Sequence, residues 1–323
     1  MINGEAAGRK VGLVGTGLVG SSFAYGLMIR GMASELVLVD VNNDKAVGEM
    51  MDFNHGLSFV RPMNIAAGGY ADLAGAHVVV IAAGASQKPG ETRLDLLARN
   101  AAIFSRIVPE VVRHNPGGII LIATNPVDIL TYISLRESGL PPNQVIGSGT
   151  ILDTSRFRFL LGQYYEVDTR SVHAHIIGEH GDSEIPVWSL ASIGGVRLHE
   201  FAPLSNKTYD QGEMNSLFLR VRDAAYEIIK RKGATYYAIG LGLLSIVESI
   251  LGNHRTVMCV STLMTGQYGV RDICLSLPCV VGAHGVEEVL TLNLSLEEEK
   301  GFRSSAEKLQ ATLGALSTPR SPS

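Results

Sequence analysis

Cysteine is scarce, with three residues among 323. That number, at irregular spacing, excludes a disulfide framework and a cysteine-built metal site. Cys259, Cys274 and Cys279 all lie in apolar, strand-like runs, so buried thiols in a reducing cytoplasm are expected. A surplus of one charge is also lacking. The 27 Lys and Arg stand against 31 Asp and Glu, a net −4, and neither nucleic acid nor an anionic membrane is expected as a partner. No long hydrophobic run exists, because the longest, 236–250, is interrupted by Glu248 and several glycines. Residues 1–10 lack the apolar centre of a secretory signal. There is no internal repeat and no low-complexity linker. What remains, 46% hydrophobic and 18% charged residues, suits a globular chain long enough for two packed units.

The first half alternates short apolar strands (11–14, 36–39, 77–82, 119–122, 145–147) with helical stretches at 18–30, 92–114 and 151–164. Regular alternation of this kind predicts an α/β fold with a doubly wound parallel sheet. The pattern changes near Tyr165. Strand-like runs at 169–187 and 255–292 are separated by turns, with long helices at 209–231, 234–250 and 296–313. A Rossmann unit over 8–150, a mixed α+β unit over 151–316 and a flexible tail at 317–323 are expected.

Gly15-Thr16-Gly17-Leu18-Val19-Gly20 falls between the first strand and its helix. Its first glycine permits the tight turn, its second lets backbone approach a pyrophosphate, and its third lets helix and strand pack closely. Asp40 follows Gly20 by twenty residues at the end of the second strand. A carboxylate there accepts hydrogen bonds from ribose hydroxyls and repels a 2′-phosphate, which favours NAD over NADP. Taken alone, the run is also compatible with a glycine-rich turn and a capping Asp.

In the second half, 176–183 reads IIGEHGDS around His180. Asp153 and Arg156 stand three apart on a helix and share a face. One can orient an imidazole while the other grips a carboxylate with two prongs, although such a pair is also a common solvated ion pair. The loop 84–93, rich in Gly and Pro, follows a buried strand and lies where open sheets bind ligands, placed to close as a lid.

These motifs, GTGLVG, QKPGETRLDLLARN, TNPVD, LDTSRFR and IIGEHGDSE, closely resemble the L-lactate/malate dehydrogenase family, and within it the bacterial L-lactate dehydrogenases, from Lys10 to about Leu313. The resemblance implies that His180 is the acid/base, that Asp153 holds its tautomer and charge, and that Arg93 polarises the ketone. It implies that Arg156 binds the substrate carboxylate, with Asn125 contacting substrate and nicotinamide, and Thr235 in the pocket wall. Gly15, Gly17, Val19, Gly20, Asp40, Lys45, Tyr70, Gly84, Ala85, Asn125 and Ser148 are implied as the NAD site, with no metal.

Relatives that reduce oxaloacetate carry Arg where this chain has Gln87. A neutral amide cannot pair with a second carboxylate, so pyruvate and L-lactate are expected rather than malate or a larger 2-keto acid. A non-catalytic dinucleotide-binding protein would have lost His180, Arg93 or Arg156, and all three are present. The resemblance further implies a homotetramer or dimer in pyruvate fermentation, and a fructose 1,6-bisphosphate effector held by Arg158 and His173 across a subunit interface.

Overall fold

The structure, a computed structural model, describes residues 8–85 and 90–317. Five apolar strands of four or five residues, β1 (Lys10–Val14), β2 (Glu35–Val39), β3 (Asn64–Ala67), β4 (Val78–Ile81) and β5 (Ile119–Ile122), run parallel with β6 (Val145–Gly147). Their spatial order is β3-β2-β1-β4-β5-β6, so the chain reverses its direction of travel between β1 and β4.

Strands β4 and β5 are buried throughout, and alternate residues feed opposite faces. Val78 and Val80 join a core with Phe23, Leu27, Leu243 and Val247, whereas Val79 and Ile81 pack with Phe104, Val108 and Val111. The first face is covered by α1 (Leu18–Arg30), α2 (Asn43–Gly56) and α8 (Tyr237–Gly252), the second by α3 (Arg93–His114) and α4 (Val127–Ser138). Helix α3 begins at Thr92, whose hydroxyl accepts from Asp95 N at 3.2 Å while the Asp95 carboxylate accepts from Thr92 N. Its stripe of Leu97, Phe104, Ile107, Val108 and Val111 is buried.

Two features go beyond the sequence expectation. Helices α2 and α4 carry no clear apolar stripe: α2 buries only Ala46 and Phe53, and α4 is buried almost all round. The parallel sheet also does not stop at β6. Strands β12 (Thr256–Thr265), β13 (Arg271–Gly282) and β14 (Gly285–Val289) extend it, antiparallel, to nine strands, joined where Ser261 pairs with Gly147. The two halves therefore share one sheet, and α8 from the second half packs on α1 from the first.

The remainder is built on α5 (Ile151–Tyr165). Short strands β7 (Val172–His173), β8 (Ile176–Ile177), β9 (Ile185–Pro186), β10 (Ser192–Ile193) and β11 (Val196–Arg197) form two small antiparallel sheets. With α6 (Leu198–Leu204) and α7 (Gln211–Lys232), several of these bury Phe157, Leu161, Val172 and Leu217. Helix α9 (Leu296–Ser317) runs past the expected end at Leu313 and closes a third core around Ile273 and Phe302. Cys259, Cys274 and Cys279 are free and buried in β12 and β13. No described helix is long and apolar enough to cross a membrane.

Candidate active site

Gly15, Asp40, Gly84, Asn125 and Ser148 each stand just past the carboxyl end of β1, β2, β4, β5 or β6, and so line one crevice. Gly15 turns the chain with φ +101°, and a Cβ there would meet Ala83 N at 2.4 Å. A Cβ on Gly20 would strike Gly15 O at 2.1 Å, which sets how closely α1 approaches the strand end. Among the described residues nothing lies within 4 Å of a Cβ built on Gly17, so space stays open over the start of α1. Asp40 Oδ2 accepts from Thr16 N at 2.7 Å and Thr16 Oγ1 at 2.9 Å, while Oδ1 accepts from Asn42 N. Burial works to raise its pKa, but these bonds and the nearby Lys45 bring it below the usual carboxylate value. An ionised carboxylate against an open, amide-lined turn fits an adenosine ribose beside a pyrophosphate, and would repel a 2′-phosphate.

The other implied cofactor residues make the following contacts. Val19 packs against the core, and the Asp40 charge acts on Tyr70. Ala85 N donates to Asn100 Oδ1 at 2.8 Å, and a Cβ on Gly84 would meet Thr124 at 2.4 Å. Ser148 is buried, with its N–H on Ile122 O. Asn125 is joined to Pro126 by a cis peptide bond, and its carbonyl accepts from Asn100 Nδ2.

Asp153 and Arg156 do share a face of α5, as their spacing predicts. Arg156 donates to Asp153 Oδ1 at 2.9 Å, and His180 Nδ1 donates to Asp153 Oδ2 at 2.5 Å. Asp153 is 3% exposed, Arg156 14% and His180 23%, so the triad is sunk but open on the imidazole side. Burial pushes the imidazole toward neutrality, yet the Asp153 carboxylate outweighs it, and the His180 pKa rises to about 9. Burial likewise opposes ionisation of Asp153, which the His180 and Arg156 charges hold below its usual pKa. With Nδ1 committed to Asp153, Nε2 is the nitrogen left to exchange a proton with a ligand.

Four neighbours escaped sequence reasoning. Glu184, 6% exposed, has its pKa raised by burial and then by the Asp153 charge, and its Oε1 has no hydrogen-bond partner among the described residues. Its signal was its place in IIGEHGDSE. Asp128, in TNPVD, accepts from the His180 main chain. Asp182 and Tyr226 hold Arg93: Arg93 donates to Asp182 Oδ2 at 2.8 Å and to Tyr226 Oη at 2.9 Å. Arg93 therefore reaches the His180 segment through Asp182, with 74% of its side chain exposed. Thr235 is half-buried between α7 and α8. Gln87 lies outside the described residues.

Asp153, His180 and Glu184 bring ligand-type atoms within 4.8 Å of one another. Both Asp153 oxygens are already paired and Arg156 adds a positive charge, which suits proton transfer better than cation binding. Arg158 turns from Arg156, its Nε donating to Ala174 O at 2.9 Å. Burial, then Arg158 and His173, lower the pKa of His175 to about 4.

A family model described as lactate/malate dehydrogenase, NAD binding domain, matches residues 9–147, and its partner, the alpha/beta C-terminal domain, matches 150–317. The chain is 49% identical to an L-lactate dehydrogenase of Acetivibrio thermocellus, over 98% of this chain and 99% of that one. It is 51% identical to an L-lactate dehydrogenase of Priestia megaterium, over 94% and 95%. Among solved structures, a lactate dehydrogenase from a Medee basin deep-sea metagenome library superposes with a TM-score of 0.93 at 44% identity, covering 96% of this chain and 99% of that one. The minor L-lactate dehydrogenase of Enterococcus mundtii gives 0.92 at 43%, with the same coverage. Matched along both halves, and carrying the glycine turn and buried acid–base pair that such chemistry needs, this chain belongs to the lactate/malate dehydrogenase family.

Proposed function

We propose that this chain is an NAD-dependent L-lactate dehydrogenase, with residues 8–150 forming the dinucleotide unit and 151–316 the substrate unit. The observation that carries the reading is the Arg156–Asp153–His180 chain, which sets a charged clamp beside a proton donor. NADH, when bound, supplies the hydride to the substrate carbon. Asp40 accepts from the ribose, and the Gly15–Gly20 turn leaves room for the pyrophosphate, with Val19, Lys45, Tyr70, Gly84, Ala85, Asn125 and Ser148 around it. Arg156 keeps one N–H on Asp153 and offers the others to the pyruvate carboxylate. His180 gives its Nε2 proton to the ketone oxygen as charge develops there, and Asp153 stabilises the imidazolium beforehand. Arg93 polarises that oxygen after leaving Asp182 and Tyr226, an exposed pair that is cheap to break. Thr235 and Gln87 bound the substrate methyl group, and the neutral amide of Gln87 disfavours oxaloacetate.

The protonation state of His180 gives this reading a test. Pyruvate reduction needs the imidazolium, which exists below the raised pKa, and lactate oxidation needs the neutral ring. The kcat/KM for pyruvate should hold steady through neutral pH and fall tenfold per unit above about 9, and that for lactate should rise toward the same value. A pyruvate profile with its alkaline limb near the ordinary histidine value would refute the Asp153 coupling. Side-by-side NADH oxidation with pyruvate, oxaloacetate and 2-ketoisocaproate checks substrate choice.

We also propose a homotetramer or dimer in the cytoplasm that responds to fructose 1,6-bisphosphate. Supporting assembly, Leu18, Tyr25 and Ile29 on α1, Met51 on α2, and Tyr237 and Leu241 on α8 expose apolar surface, and Phe59 is 88% exposed. Supporting an anionic effector, Arg158 and His173 both act electrostatically on the buried His175, so a guanidinium and an imidazole stand near one side chain. The effector should lower the pyruvate concentration for half saturation, and Arg158→Gln should abolish that shift. A saturation curve the effector leaves in place, at low protein concentration, removes the regulatory claim.

A further inference from the structure

Asp128 is a buried carboxylate for which the steps above have no use. It sits in the first turn of α4, 2% exposed, three residues beyond Asn125. Its Oδ2 accepts from the His180 main-chain N–H at 2.7 Å, and its Oδ1 accepts from Ser261 Oγ at 2.6 Å. Ser261 is the β12 residue that pairs with β6, so one side chain ties the seam of the sheet to the segment carrying His180. Burying an ionised carboxylate is costly, and two neutral donors offset that cost only partly. An asparagine of the same shape would satisfy both positions, accepting from the His180 N–H and donating to the Ser261 oxygen. What Asn lacks is the charge.

We propose that Asp128 is a positioning residue that seats the His180 backbone and, through its negative charge, helps keep the His180 ring protonated for transfer to substrate. The inference rests on the acid–base reading of His180 given above. Asp153 and Arg156 on α5, Glu179, Asp182 and Glu184 on the His180 segment, and Arg93 on α3 through Asp182, are the charged and titratable groups grouped around that ring. Glu179 bears on Asp128 itself, and Asp128 in turn acts on the Cys274 thiol of β13. Burial raises the Asp128 carboxyl to about 6, with Ser261 and the His180 N–H holding it back, so it is charged at neutral pH.

The test compares Asp128→Asn, Asp128→Ala and Ser261→Ala in the full chain, following the His180 ring by NMR titration alongside activity. Asp128→Asn keeps both hydrogen bonds and removes the charge. The His180 titration and the alkaline limb of pyruvate kcat/KM should fall together by about one pH unit, costing about fivefold in activity at pH 9 and far less at pH 7. Asp128→Ala also loses the seat of the His180 N–H, so kcat should drop about tenfold at every pH while the NADH dissociation constant holds. Ser261→Ala should leave the alkaline limb in place, because the Asp128 charge and its bond to the His180 N–H both remain. A merely structural role would lower thermal stability and leave the His180 titration where it was, and that result in a folded Asp128→Asn protein overturns the proposal. Undiminished turnover by His180→Asn would instead overturn the acid–base reading beneath it.

Discussion

Asp153→Asn is expected to lower pyruvate turnover by roughly a hundredfold to ten-thousandfold, the range over which general acid–base groups contribute. Three losses coincide in this one change. The amide no longer stabilises an imidazolium, so burial weighs more and the His180 pKa falls from about 9 toward the ordinary histidine value. The tautomer is no longer dictated by a carboxylate facing Nδ1. Arg156, only 14% exposed, also loses its anionic partner at 2.9 Å. The pH profile separates these losses: the alkaline limb should move toward neutrality, while NADH binding, proposed above to rest on Asp40 and the glycine turn, stays intact. An enzyme that loses rate but keeps its alkaline limb near 9 would mean that Asp153 positions the ring without charging it.

Arg156→Lys is the second large effect. The guanidinium donates to Asp153 with one arm and has others to give a carboxylate, whereas an ammonium on a flexible stem must divide itself between the two anions. Losing a paired, charge-assisted grip costs roughly 2–4 kcal/mol, or about thirtyfold to a thousandfold in pyruvate kcat/KM. Fluorescence titration with NADH should be unaffected. Near-normal saturation by pyruvate in Arg156→Lys would remove Arg156 from the substrate and leave it as a support for Asp153.

Most of the crevice was legible because local rules determine it. A glycine turn between an apolar strand and its helix, with a carboxylate at the next strand end, requires no knowledge of distant contacts, and Gly15, Gly20 and Asp40 stand where that logic puts them. Asp153 and Arg156 were legible for the same reason, since helical spacing alone puts them on one face. The link from Asp153 to His180 spans 27 residues and rested on resemblance. Asp128 reaches His180 across 52 residues and Arg93 reaches Tyr226 across 133, distances at which no periodicity leaves a trace. Helix α4 failed for a different reason. Packed on nearly all sides and burying Asp128, Thr131 and Ser134 along with its apolar residues, it shows no alternation of a buried apolar face with an exposed polar one. The extension of the sheet to β14 was hidden because antiparallel strands and turns look the same whether they build a separate sheet or enlarge an existing one.

The pairing of Ser261 with Gly147 has a mechanical meaning. Enzymes that clamp a substrate between two lobes need a flexible neck about which the lobes swing. Here the neck is replaced by strands in register, and α8 is bolted across onto α1 from the far side. The frame is thus one piece across both halves, held by main-chain pairing and by helix packing rather than by a hinge. Such a frame also melts as one piece: a molecule that binds only at the glycine turn should raise the unfolding temperature of the substrate half as much as that of its own.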